Sequence, residues 1–160
     1  MKRSTRRVII EAVMAGFFAM AFGFPVCAQT KYDHVEYLKA AQQGEKKKGE
    51  TVGGALNFDA TKKTIEFLDK SGAAVFTIPD ASVKGLHYEK TSRPRYAEAL
   101  LIAWPLIFTK SKKHYLTIQY TDAAGAGQFS IIHLDKNNYQ QILATAEAQT
   151  GIKVERAEEK

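Results

Sequence analysis

The stretch HYLTIQYTDAAGAGQFSIIHLDKNNYQQILATAEAQTGI, residues 114–152, decides the fold class of this chain. Successive side chains of a strand point to opposite faces. His114, Leu116, Ile118 and Tyr120 therefore share one side, and Tyr115, Thr117 and Gln119 the other. Thr121–Gly127, small and glycine-containing, predicts a hairpin loop, and Gln128–Leu134 the return strand. The buried face of that return strand stays open, because Phe129 and Ile131 compete with Ile132 and Leu134. From Asp135 the period becomes helical, with Tyr139, Ile142, Leu143 and Ala146 at i, i+3, i+4 and i+7. Asp135 stands as N-cap, and Leu134 and Tyr139 at the positions of a hydrophobic staple. Gly151 reads as the left-handed stop and Ile152 as the residue folding back onto the last turn.

Working upstream, Leu56 and Phe58 alternate with Asn57, and Asp59–Lys63 is turn-forming. Ile65 and Phe67 flank Glu66, which completes a hairpin. Asp69-Lys70-Ser71-Gly72 predicts the next turn, and Val75–Ile78 a strand stopped by Pro79. After a tight bend at Asp80-Ala81-Ser82, Val83, Gly85, Leu86 and Tyr88 belong to a fourth strand. Residues 29–52 read differently. They are polar and charged, carry Lys46-Lys47-Lys48, and are punctuated by Gly44 and Gly49, with Gly53 and Gly54 just beyond. This predicts a linker, with a short helix over Asp33–Gln43 on the weak stripe of Val35, Leu38 and Lys39. The lysine run reads as solvated chain.

The first 28 residues have the pattern of an export signal. Lys2, Arg3, Arg6 and Arg7 precede an apolar run from Val8 to Phe24, and Val26-Cys27-Ala28 offers a small-x-small cleavage site. The expected product is periplasmic or secreted, cut near Ala28. Thr5-Arg6-Arg7-Val8-Ile9-Ile10 resembles a twin-arginine motif, but Glu11 stands where that motif prefers a lysine, so an ordinary basic n-region is the simpler reading. Phe24-Pro25-Val26 does not supply the residues that lipid attachment at Cys27 requires. Losing this segment takes four basic residues and one acidic residue, which lowers the formal charge from +6 to +3. The remaining 132 of 160 residues suit one domain with a single core. Cys27 is the sole cysteine, so that product has neither thiol nor disulfide. So small a charge gives no case for nucleic acid.

Taken together, GALNFD (54–59), FTIPDASVKGLHYEK (76–90), KKHYLTIQYTD (112–122) and TGIKVER (150–156) resemble bacterial exported proteins of unknown function with a pleckstrin-homology-like (PH-like) domain. The resemblance implies a mostly β fold: a barrel of two near-orthogonal antiparallel sheets capped by one C-terminal helix. It spans residues 53–156, after a signal peptide (1–28) and a polar linker (29–52) and before a charged tail (157–160). Phosphoinositide binders of this fold carry basic residues in the first hairpin and along the second strand. Here Lys62 and Lys63 are followed by Glu66, and no tryptophan lies between Asp135 and Gly151, so that ligand is not implied. The fold hosts many functions and fixes none.

One segment stands apart. Arg93-Pro94-Arg95-Tyr96-Ala97-Glu98 leads into ALLIAWPLIF (99–108), the most apolar stretch after the leader, and then Thr109-Lys110-Ser111-Lys112-Lys113. Pro105 and a length of about ten residues exclude a membrane-crossing helix. In one reading Leu100, Leu101, Ile102, Trp104 and Leu106 dip into the acyl boundary while Arg93, Arg95, Lys110, Lys112 and Lys113 meet anionic head groups. In another the run completes the core. In a third it docks a protein, and sequence does not separate these.

Catalytic and metal-binding patterns are not evident. His34, His87, His114 and His133 lack metal-ligand spacing; His114 and His133 could face one another across the last hairpin, where two strand histidines read as a satisfied pair and not as ligands. Ser71, Ser82, Ser92 and Ser130 sit in no nucleophile elbow. Asp80 near Arg93 or Arg95 would be an ordinary ion pair. The glycines at 125 and 127 precede a strand, where a phosphate loop needs a helix. The sequence reading is an exported, non-catalytic module without cofactor or metal, meeting anionic lipid or an envelope protein through residues 93–113. A small-molecule carrier or hydrolase with a pocket in the barrel is the alternative. Oligomeric state is not encoded in any readable pattern.

Overall fold

The computed structural model describes residues 29–39, 50–92, 94–97 and 111–157. Eight strands and one α-helix follow in the order β1 (Gln29–Lys39), β2 (Glu50–Asp59), β3 (Thr64–Asp69), β4 (Ala74–Pro79), β5 (Val83–Thr91), β6 (Lys113–Thr121), β7 (Gly127–Leu134), α1 (Tyr139–Thr150) and β8 (Val154–Arg156). Single turns of 3₁₀ helix occupy Asp80–Ser82 and Arg95–Ala97. The strands form one sheet in the order β4-β3-β2-β1-β7-β6-β5-β8. Every neighbouring pair is antiparallel except β5 and β8.

The mostly β fold with one helix near the C-terminus is as expected, but the strands, expected in two near-orthogonal sheets, form a single sheet of eight. Its two antiparallel halves are joined into one sheet by the rungs Glu36–His133, Tyr37–Ile132 and Leu38–Ile131. The sheet must curl on itself. Ile65 and Phe67 of β3, Ile78 of β4, Leu86 of β5 and Leu116 and Ile118 of β6 come from opposite flanks of the strand order, yet they share one core. Ile142, Leu143 and Ala146 of α1 enter the same core and are buried. Burying a large aliphatic side chain is worth about 1.5–3 kcal/mol, so this shared interior is what holds the curl closed. The helix is also tied across strands by polar contacts. Gln149 donates to Thr64 O at 3.0 Å and to Asp80 Oδ1 at 2.9 Å. Asn138 donates to Asp33 O at 3.0 Å.

Aspartates that close or follow strands build the turns. Asp59 Oδ1 accepts from Thr61 N and Lys62 N, Asp69 Oδ1 from Ser71 N and Ala73 N, and Asp122 Oδ1 from Ala124 N and Ala126 N. Each takes main-chain donors that the turn leaves without a ladder partner. Gly72 and Gly125 supply the left-handed residues, at φ 86° and 83°. Both sheet edges are blunted. A bulge interrupts β4 opposite Phe67/Leu68 and Pro79 ends it, while β8 is three residues long.

Three expectations are corrected. Gln29–Lys39 is neither linker nor helix: it is a central strand between β2 and β7. Val35 and Leu38, three apart, mimic a helical stripe because both faces of β1 are covered, Val35 by the main core and Leu38 by Tyr115 and Ile131. A bulge between Tyr32 and Val35, with His34 at φ 61°, hides the alternation as well. Residues 50–52 likewise belong to β2. At Gly54 a Cβ would fall 2.0 Å from Leu68 O, so this glycine marks a close approach of backbones, not a linker. Finally, the residue at the N-cap of α1 is Asn138. Asp135 instead accepts from Asn137 N and, through its carbonyl, from Asn138 N and Tyr139 N, forming the turn that leads in. Gly151 ends the helix at φ 71°, as read from the sequence. The export-signal reading lies outside the described residues.

Candidate functional site

Strand register builds a continuous array on the outer face of β1, β7, β6 and β5. One row runs Glu36–His133–Tyr115–Glu89, each residue directly opposite the next. The adjacent row runs Leu38–Ile131–Thr117–His87–Glu155, crossing onto β8. Two histidine–carboxylate pairs result. His133 Nδ1 lies 2.9 Å from Glu36 Oε2, and His87 Nδ1 lies 3.0 Å from Glu155 Oε2. Between them Leu38, Tyr115 and Ile131 form a second, small core.

The turn after β5 folds onto this face. Pro94 is buried. Arg95 N donates to Glu89 Oε1 at 2.9 Å. The Tyr96 ring stacks on Phe129, with centroids 5.2 Å apart, and tilts against His87 at 5.3 Å. It also packs on the Leu38/Tyr115/Ile131 cluster. A pocket of about 150 Å³ opens beside it, lined in part by His87, Glu89, Arg95, Tyr96, Glu155 and Arg156. Removal from water raises the Glu89 pKa above the ordinary carboxylate value, against the pull of the Arg95 N–H and the Arg95 and His87 charges. Burial, with Glu36 and Glu89 nearby, pushes the Tyr115 phenol up to about 12, so it is a neutral group at physiological pH.

The inner side of β5 and β6 presents aromatic groups to the helix. Tyr88 Oη and His114 Nδ1 are 2.6 Å apart, and the His114 ring stacks on Tyr139 at 4.1 Å. His114 and His133 therefore do not face one another. His133 is opposite Tyr115, and His114 is opposite Leu134, one residue out of step. Asp80 Oδ1 accepts from Gln149 of the helix and the charge beside Arg95 is Glu89, while Arg93 lies outside the described residues. Among the described residues no group of three or more His, Cys, Asp or Glu is arranged to hold a metal ion.

Of the sequence-predicted contact residues, Arg95, Lys112 and Lys113 are described. Arg95 and Lys112 are exposed, and Lys113 is half-buried at the start of β6 opposite Thr91. Arg93, Leu100, Leu101, Trp104 and Lys110 lie outside the described residues, as does the question of whether 99–108 is core. The structure does place the stems. Thr91 and Lys113 are paired, so residues 92–112 connect the two strands of one hairpin. Locating β1 also moves the first hairpin. Lys62 and Lys63 belong to the second, where Lys62 contacts Asp59 and Glu66. Lys46–Lys48 fall between β1 and β2, outside the described residues. Lys62 and Lys63 are therefore not the basic residues of the first hairpin.

A larger pocket, about 630 Å³, lies at the β1 bulge, lined in part by Lys31, Asp33, His34, Glu36, Asp69 and Lys70. Its charges are mixed: Lys31 Nζ is 3.5 Å from Asp33, and Asp69 is engaged in its own turn. The outer-face array was not found from sequence because its members come from five strands. Only the register of β1, itself misread, brings Glu36 to His133.

No protein-family model matches the sequence, and no curated protein matches it. Fourteen solved chains do. One belongs to the structure of the Spt16D Pob3N heterodimer. It is 11% identical, with a TM-score of 0.47, and the match covers 83% of this chain and 57% of that one. The chain thus spans little more than half the length of that solved chain.

Proposed function

We propose that this chain is an exported, non-catalytic binding module that meets an anionic lipid surface through the β5–β6 connection, residues 93–113. One observation carries the reading. The most apolar stretch after the leader, 99–108, belongs to a connection whose two stems are paired at Thr91 and Lys113, with exposed Arg95 and Lys112 at its base. An apolar run with basic flanks is the composition that an interface between acyl chains and anionic head groups favours. An envelope protein is the alternative partner for the same residues. The carrier or hydrolase reading draws less support, because the interior of the curled sheet is occupied by apolar side chains from all eight strands and the helix.

Sedimentation with vesicles tests the proposal. The protein is expected to pellet with anionic vesicles and not with zwitterionic ones, and less so as salt rises. Reversing Lys110, Lys112 and Lys113 to glutamate removes groups worth about 1 kcal/mol each near such a surface and is expected to abolish pelleting. Pelleting that ignores lipid charge, or none at all, contradicts the proposal.

A further inference from the structure

Gln29 is the first residue of β1, and it stands opposite Asp59 of β2 in the strand register. Its side chain reaches across that rung, where Gln29 Nε2 donates to Asp59 Oδ2 at 2.7 Å. Asp59 is itself fixed. It is 1% exposed, its Oδ1 accepts from Thr61 N and Lys62 N, and its Oδ2 lies 3.4 Å from Lys62 Nζ. The Gln29 amide is therefore moored to a carboxylate that the β2–β3 turn keeps in place. Gln29 also directly follows Ala28, where the sequence pattern puts the export cut.

We propose that Gln29 is a modification site: as the first residue of the exported chain it closes to pyroglutamate when β1 is released, and Asp59 holds it open for as long as β1 lies in the sheet. The proposal rests on the export reading, which frees the Gln29 amine, and not on the lipid contact. In the closure the amine nitrogen attacks the side-chain carbon Cδ. The N–Cδ bond forms, the Cδ–Nε2 bond breaks, and an amine proton passes to the departing Nε2, which leaves as ammonia. No oxidant or cofactor takes part. The attack needs the nitrogen and Cδ about 3–3.5 Å apart, with the side chain folded back on its own main chain. A side chain extended across the rung to Asp59 does not meet that need, so the hydrogen bond must break before the ring forms. The strength of one such bond corresponds to a roughly two- to tenfold slower closure. Closure in turn removes both the amine charge and the donor to Asp59. It leaves a covalent record of chains whose first strand has come away.

Mass spectrometry of the N-terminal peptide tests it. The full chain is expressed in a bacterium with a periplasm, and the processed product is recovered from there. The expected product starts at Gln29 and has kept its amide. A different first residue overturns the export reading at this cut, and the modification site with it. A product that starts at Gln29 but has already lost ammonia overturns the role of Asp59 alone. The open product is then held at about pH 8.5, above the ordinary α-amino value of about 7.7–8.0, and loss of ammonia is followed with time. Closure is expected to be at least about twofold slower in the native chain than in urea, after correction by a peptide of residues 29–33 in the same solutions. Asp59→Ala removes the acceptor. Asp59→Ser, which still serves the turn through a shorter, neutral hydroxyl, is the second variant should the first lose the fold. The folded variant is expected to close roughly two- to tenfold faster than the native wild type. Equal rates in the native and unfolded wild-type chains overturn the proposal, as does a folded variant that closes as slowly as the wild type.

Discussion

The hydroxyls of Tyr32, in β1, and Thr145, in α1, lie 2.7 Å apart across 113 residues of sequence. The contact ties the strand that sequence reads as a linker directly to the helix whose buried face and C-terminal stop sequence reads correctly. Tyr32→Phe keeps the ring against Phe58 and removes the hydroxyl, and the expected loss is about 1 kcal/mol in chemical denaturation. An unchanged midpoint would mean that the Tyr32–Thr145 hydrogen bond adds nothing to the other contacts between the strand and the helix.

The outer face of the central strands is a second core, and truncation there is expected to cost as much as in the first. Ile131 is fully buried against Leu38 and Tyr115, with Tyr96 packed alongside. Ile131→Ala is predicted to destabilise by about 2–5 kcal/mol. A loss below 1 kcal/mol, by the same denaturation measurement, would show this face to be open to solvent.

Gly54 and Gly72 separate two reasons for glycine. A Cβ at Gly54 meets the Leu68 carbonyl, so Gly54→Ala is expected to push β2 from β3 and cost about 1–3 kcal/mol or more. Gly72 has open space but a φ of 86°, and Gly72→Ala is expected to cost about 1–2 kcal/mol from backbone strain alone. Amide exchange along β3 should rise in the first variant and stay unchanged in the second.

Stability is expected to fall at both ends of the pH scale. Hydrogen bonds hold Asp59, Asp69 and Asp122 below the ordinary 3.8, led by the Lys62 main chain at Asp59, the Ser71 side chain at Asp69 and the Gln128 side chain at Asp122. Their contribution is complete above 3.8 and is lost as pH falls through the lower folded values. Tyr115 acts at the alkaline end. Above the ordinary 10 the unfolded chain ionises first, so stability falls as pH rises toward the folded value of about 12. Asp59→Asn should flatten part of the acid limb and Tyr115→Phe part of the alkaline limb, as followed by thermal melts across pH.

Sequence made legible those elements whose pattern is local and one-sided. The β6–β7 hairpin, the helix from Tyr139 and the aspartate turns each follow from side chains within a few residues of one another. The first strand was not legible, because Val35 and Leu38 are buried on opposite faces and a bulge at His34 breaks the period of two. Phe129 and Ile131 competed with Ile132 and Leu134 for the same physical reason: the face under Tyr96 and the main core are both apolar. The pairing of Glu36 with His133 depends on that missed strand, so the outer-face array could not be read until the register was known.

Trp104 is the sole tryptophan, and it lies within the apolar run assigned to the lipid surface. Its emission, recorded on the protein from Gln29 onward with and without anionic vesicles, tests the central claim most directly. The account predicts a red emission that shifts to the blue and gains intensity when lipid is added, as the ring enters the acyl boundary. An emission already blue and indifferent to lipid would place Trp104 in the folded interior and contradict it.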